Sequence, residues 1–293
     1  MLAVVGTVPD MAMELTVGEV ILSGDSVLMA GKSMPVNRGT PALIGAACQI
    51  LAVFGKTGIT AFLAGDVGLG QGSRKIYHHL VHENSLSSVE TIVFHYLQPD
   101  VDWHNRVLFR LSDMENRPVM VADAGFMYAA KMSGQAGEYD LFTPDAGELA
   151  FLADENAPHP FYTRGFILHG DNSVPDLVRR AYHHDNAAKY LLVKGATDYI
   201  MDETGLLSSV DGPSTEAMEA IGGTGDTLTG IVTALVHTGM TIADAALAGA
   251  KINRLAGFYA NPTPATQIIE IIRQIPAAVE SISNSKMTPC RFL

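Results

Sequence analysis

Six short runs of β-branched and aliphatic residues recur along the first two thirds of the chain, and stretches of helical length separate several of them. The runs are LAVVGTV near the start, ITAFLAG around Phe62, TIVFHYL around Val93, PVMVADA around Val121, YDLFTP around Leu141 and YLLVKGA around Leu192. Pro41 to Phe54, Ser73 to His82 and Val101 to Met114 are long enough for crossover helices. Near-continuous apolar strands joined by crossovers belong in a mainly parallel sheet, so the pattern predicts an α/β fold. After Lys194 the rhythm changes. ATDYIMDETGLLSSVDG reads as two short strands joined by the Asp202-Glu203-Thr204-Gly205 turn, an antiparallel hairpin.

The C-terminal third reads as helical. Leu228, Ile231, Val232, Leu235 and Val236 follow the spacing of an amphipathic helix closed by Gly239. Thr241 with Asp244 resembles a capping box and starts a small-residue helix running towards Tyr259. Thr263-Pro264 starts a third helix, with Ile268, Ile271, Ile272 and Ile275 on its apolar face and its end near Pro276. Asp154 to Pro160, with two prolines, reads as a loop. Residues 1–285 are expected to form a single domain and residues 286–293 a tail.

Composition narrows the partners. The 293 residues, 47% hydrophobic, suffice for a substantial core. A net charge of -12 opposes attraction to nucleic acid phosphates and anionic lipid, and no apolar run approaches the ~20 residues that span a bilayer. The first residues carry no basic leader followed by an apolar stretch, so a secretory signal is not expected. Cys48 and Cys290 offer neither a disulfide framework nor a zinc spacing, which fits a reducing cytoplasm. A mean hydropathy of +0.18 with 17% charged residues predicts a homo-oligomer.

One stretch carries chemistry. In IGGTGDTLTG, Gly222, Gly223 and Gly225 flank Thr224 and precede Asp226 at a helix start. Glycines let the backbone approach a ligand, and the unpaired N–H groups of a helix entrance attract phosphate. A carboxylate beside such an anion site repels the ligand unless it acts at the reacting atom, by accepting a proton from a hydroxyl as a phosphoryl group approaches. The competing reading makes Asp226 a helix cap, worth about 1 kcal/mol. The residues alone leave both open.

GGTGDTLTG resembles the G-[ST]-G-D motif of the ribokinase-like superfamily, and its Asp-x-Leu-x-Gly form is most similar to the ADP/ATP-dependent NAD(P)H-hydrate dehydratases. VMVADAGFM (Val119 to Met127), LFTPDAGELAFL (Leu141 to Leu152) and YLLVKGATDYIMDETG (Tyr190 to Gly205) resemble further motifs of that family in the same order. The resemblance covers roughly residues 90 to 260. Asp145-Ala146 stands where the family has His-Pro, and HYLQPD, from His95 to Asp100, where it has a glycine-rich loop.

The resemblance implies a three-layer α/β/α sandwich with a mainly parallel central sheet and a short antiparallel hairpin. It implies Asp226 as base, Gly222, Gly223, Thr224 and Gly225 as phosphate cradle, and Thr143, Asp145, Lys194 and Gly195 as nucleotide contacts. Glu148, in Asp145-x-x-Glu148, would organise Mg through water, as hard oxygen donors suit that ion; a solvated acid at a helix start is the other reading. Lys194 at a strand end either meets phosphate or closes an ion pair. The expected cofactors are ATP or ADP with Mg, and the expected substrate is a small molecule, hydrated NAD(P)H or another alcohol. A small-molecule kinase and a catalytically silent nucleotide-binding module are the alternatives.

Other candidates come from the residues themselves. Asp123 ends the PVMVAD strand, where open α/β sheets bind ligands, or else it holds a neighbouring loop. Asn37, Arg38 and Gly39 form a possible substrate-binding loop, with Lys32 or Arg38 meeting an anionic group; a surface turn is the alternative. The same region fails as a Walker A loop because Ser26 stands where glycine is needed. LAGDVGLGQGSRKIY has the wrong glycine spacing for a dinucleotide fold, yet its loop could line a cleft with Asp66 facing the ligand. His78 with His82, and His183 with His184, lack the supporting ligands of a zinc site.

Overall fold

LAVVGTV forms β1 (Leu2–Val8), a strand buried along its whole length, as befits the interior of a parallel sheet. A computed structural model describes residues 1–83, 86–158 and 173–284. The expected C-terminal tail and the end of the proline-containing loop lie outside the described residues. Packing divides the chain into two units, Met1–Gly18 with Thr60–Ser209 and Glu19–Ile59 with Val210–Leu293.

In the first unit every apolar run became a strand: β5 (Ile59–Gly65), β6 (Thr91–His95), β7 (Val119–Ala122), β8 (Leu141–Phe142) and β9 (Tyr190–Val193). The hairpin supplies β10 (Asp198–Asp202) and β11 (Gly205–Val210), and the order is β11–β10–β9–β8–β7–β6–β1–β5. β1, β6, β7, β8 and β9 run parallel, while β10 pairs antiparallel with β9. Between strands lie α2 (Gln71–His82), α3 (Val101–Ser112), α4 (Gly125–Met132), α5 (Ala146–Ala153) and α6 (Val174–His183). An aromatic group centres the core: the Phe126 ring stacks on Phe94 at 4.1 Å and meets Tyr77 and Tyr139, each at 6.0 Å. His104 joins it, fully buried, its Nε2 2.8 Å from the Tyr139 hydroxyl.

α5 is held at both ends. At its start Asp145 and Glu148 form a capping box, each side chain accepting the other's backbone N–H at 2.8 Å. At its end the buried Lys131 ammonium donates to the carbonyls of Phe151 and Asp154, both at 2.5 Å, and lies 3.8 Å from the centre of the Phe151 ring. Both carbonyls lie in the last turn of the helix, where intrahelical donors run out.

The second unit holds a meander that the periodicity did not announce. β2 (Thr16–Ser23), β3 (Ser26–Met29) and β4 (Lys32–Pro35) pair antiparallel, with Ser23 opposite Ser26 and Met29 opposite Lys32. Two-residue turns join them, and at the second both Ala30 (φ 49°) and Gly31 (φ 76°) adopt the left-handed conformation. Lys32 therefore begins an exposed strand and follows no phosphate loop.

Five helices of this unit are α1 (Thr40–Val53), α7 (Thr224–His237), α8 (Ile242–Ala260), α9 (Ile268–Ile272) and α10 (Ile275–Asn284). Two expectations are corrected. The helix after the glycine loop is buried on all sides from Asp226 to Val236, with Thr229 and Thr233 hydroxyls bonded back to the carbonyls of Gly225 and Thr229. Helix starts at Gln267 rather than Thr263, and Pro276 lies in the first turn of a new helix instead of ending the old one. Proline is tolerated there because the first amides of a helix have no intrahelical acceptor. Gly230 is where α7 and α1 touch backbone to backbone: a Cβ at this position would lie 2.2 Å from the Leu43 carbonyl oxygen.

Candidate active site

Two loops far apart in the sequence meet in the second unit. Gly223 is the N-cap of α7 with φ 103°, which a side chain rarely adopts, and a Cβ on it would sit 3.0 Å from Ile268 Cγ1 and 3.2 Å from the Arg38 Cα. Gly222 is exposed and packs beside the Arg38 side chain; Gly223, Thr224 and Gly225 are half-buried, so the entrance opens to solvent. Asn37 and Arg38 are exposed, and Gly39 caps α1 with φ 67°. Asp226 occupies the third position of α7, 8% exposed, and its Oδ2 accepts the Gly39 N–H at 2.5 Å. The cap of α7 is thus a glycine, and the carboxylate reaches across to the start of α1. A charge-assisted bond from a backbone amide fixes its orientation.

A residue with no local signature braces this entrance. Asn253 of α8, 7% exposed, donates from Nδ2 to the Thr224 carbonyl at 3.1 Å and accepts the Thr227 hydroxyl at 2.8 Å.

The remaining candidates lie in the first unit, most at the carboxyl ends of its strands. Lys194 Nζ donates to both oxygens of Asp123 at 2.9 Å, and the Asp123 side chain is 3% exposed. Asp123 also accepts the Ala124 N–H at 2.9 Å, and His95 Nε2 lies 3.9 Å away. Lys194 closes an ion pair with Asp123 in this structure. Gly195 N–H donates to Asp198 at 3.1 Å, and Thr143 is fully buried. Asp145 is exposed as the α5 cap.

Glu148 is half-buried, and its Oε1 accepts the hydroxyl of Tyr128, a partner the sequence did not suggest, at 3.2 Å. Burial pushes its carboxyl up to about 7; the Lys194 ammonium works the other way, and Asp123 and Asp145 add to the rise. Burial, then the Glu148 charge, raises the Tyr128 hydroxyl above its ordinary range. No three His, Cys, Asp or Glu side chains converge as a metal cage among the described residues.

Asp66 is turned into its own loop. Oδ1 accepts the N–H groups of Gly68, Leu69 and Gly70, and Oδ2 accepts the N–H and hydroxyl of Ser73, all at 3.0 Å. Burial pushes its carboxyl up, but these bonds together outweigh that and hold it below the usual carboxylate value. Its oxygens shape the start of α2.

Comparison with known proteins places the chain. The family model described as NAD(P)H-hydrate dehydratase matches residues 98–276. The chain belongs to the NAD(P)H-hydrate dehydratase family. An uncharacterized protein of Methanocaldococcus jannaschii is 42% identical over 240 residues, 82% of this chain and 99% of that protein. The ADP-dependent (S)-NAD(P)H-hydrate dehydratase of Cenarchaeum symbiosum is 33% identical over 147 residues, 50% of this chain and 45% of the relative. Among solved structures, a ribokinase-like superfamily protein from Enterococcus faecalis aligns with a TM-score of 0.60 at 14% identity, over 96% of this chain and 86% of that one. Phosphofructokinase-2 from Escherichia coli aligns at 0.54 and 12%, over 95% and 99%. The fold of this NAD(P)H-hydrate dehydratase family member is ribokinase-like, a three-layer α/β/α sandwich with a mainly parallel sheet.

Proposed function

We propose that the protein dehydrates hydrated NAD(P)H at the expense of ATP or ADP. The observation that carries the reading is the Asp226 carboxylate, oriented by the Gly39 amide beside an open glycine entrance at the start of α7. Phosphoryl oxygens of the nucleotide lodge among the amides of Gly223, Thr224 and Gly225, whose dipoles stabilise the charge that develops during transfer. Asp226 takes the proton of the ring hydroxyl as its oxygen bonds to the terminal phosphorus and the bond to the leaving nucleotide breaks. The C–O bond of the resulting ester then breaks, releasing phosphate, and a proton leaves the neighbouring carbon to restore the ring double bond. A kinase would stop at the ester.

Arg38, exposed beside Gly222, would meet an anionic part of the substrate or nucleotide, which favours anionic ligands at this mouth. Magnesium carried with the nucleotide would supply charge neutralisation. Within the first unit, Asp145 and Glu148, engaged in their capping box, would meet a magnesium ion through water better than by direct ligation.

The test incubates the protein with Mg-ATP or Mg-ADP and hydrated NADH while recording the return of dihydronicotinamide absorbance and nucleotide turnover. Restored absorbance supports dehydration; turnover only with another alcohol replaces it with a kinase; binding without turnover leaves a silent module. Asp226→Asn is expected to lower kcat by about 10² to 10⁴-fold, and full activity in that variant would remove the base from the scheme.

A further inference from the structure

We propose that Asn253 is a positioning residue that sets the first turn of α7, and through it the direction of the entrance amides and of Asp226. Its importance for turnover rests on the function proposed above; its importance for anion binding does not. The asparagine amide donates and accepts in one plane on a short side chain, and both capacities are used here. Nδ2 holds the Thr224 carbonyl at 3.1 Å while Oδ1 takes the Thr227 hydroxyl at 2.8 Å. That hydroxyl also lies 2.8 Å from the Thr224 carbonyl, so the three groups close a ring around the turn. Thr227 is fully buried, and Asp226 stands next to it in the chain.

The reach of so short a side chain depends on how closely the helices approach. Gly249, Asn253 and Gly257 are spaced four apart and share one face of α8. A Cβ at Gly249 would lie 2.4 Å from Val232 Cγ2 of α7, and one at Gly257 would lie 1.9 Å from Met218 Sδ in the turn Glu216–Ala220 that precedes the glycine loop. Two hydrogens in place of side chains bring α8 against α7 and the turn before it, with the asparagine between them. Without Asn253 the Thr224 carbonyl and the Thr227 hydroxyl lose their shared buried partner, and the turn is free to shift. A displacement of ~1 Å at a site of this kind costs about 10²-fold in rate.

The experiment compares the full chain with Asn253→Ala, Thr227→Val and Thr227→Ser, measuring Mg-ADP affinity by calorimetry, kcat and KM for hydrated NADH, and thermal unfolding. Asn253→Ala and Thr227→Val are expected to lower kcat about tenfold to 10²-fold with KM nearly constant, and to weaken Mg-ADP about tenfold. Thr227→Ser, which keeps the hydroxyl, is expected to retain wild-type values. Should Asn253→Ala not fold, the Thr227 pair makes the same comparison. Lowered unfolding temperatures with unchanged kcat and Mg-ADP affinity would reduce Asn253 to a packing residue and overturn the proposal. If the wild type binds Mg-ADP but dehydrates nothing, the functional reading falls alone, and the affinities of the variants still decide the role of Asn253. If the wild type binds no nucleotide, both fall.

Discussion

The Glu148 carboxyl closes a capping box, accepts the Tyr128 hydroxyl and is pushed up to about 7, first by burial and then by Asp123 and Asp145. Because the folded value lies above the ordinary 4.5, the stability linked to this group is present in full below pH 4.5 and is lost as pH rises through about 7. Glu148→Gln keeps the shape and removes the charge, so its thermal unfolding is expected to fall less than that of the wild type between about pH 5 and pH 8. Parallel curves would refute the assignment. Single residues differ in how far the sequence displays them. Asp226 was legible because glycines and an acid stand together; its bond to Gly39 was not, since 187 positions separate them. Asn253, 29 residues from Thr224, is one polar residue in a small-residue helix, and nothing near it marks its partner. The bonds of Asp66 to its own loop were not legible, because an acid in a glycine loop looks the same whether it faces a ligand or the amides beside it.

At the level of elements, α1 and α7 owe their spacing to Gly230. Gly230→Ala would bring a methyl within 2.2 Å of the Leu43 carbonyl oxygen, and the helices must part. The expected cost is about 1–3 kcal/mol, as for overpacked interiors generally, read as a lower midpoint in denaturant. An unchanged midpoint would mean that the helices have room to spare. Asp226 lies four residues up the same helix, ~6 Å away, so the substitution is also expected to weaken nucleotide binding. The parallel strands were legible because burial on both faces writes them as unbroken apolar runs. The β2–β4 meander was not: its strands mix polar and apolar residues, and its register is set by the two-residue turns Gly24-Asp25 and Ala30-Gly31. Pro276 misled because the same ring that stops one helix is at home in the first turn of the next.

At the scale of the whole molecule, the buried His104 contributes to the acid side of stability. Burial lowers it to about 4, only partly opposed by its bond to Asn105. A depressed folded value means that the stability linked to this group is present above 6.5 and is lost as pH falls through about 4, up to about 3 kcal/mol. His104→Gln is expected to flatten that loss in unfolding curves taken between pH 7 and pH 4; an equally steep decline would place the acid sensitivity elsewhere. The α/β class was legible at this scale, whereas the partition into two units was not. Each unit draws on two separated segments, so no linker and no shift of composition marks the division. Lys131 has a consequence of its own in a chain with 31 acidic and only 19 basic residues. Ringed by carbonyls and lying over an aromatic face, its ammonium is a resident cation tethered by its own backbone. Chelators and dialysis have nothing to strip from that end of α5, and the counter-charge arrives with every newly made copy of the polypeptide.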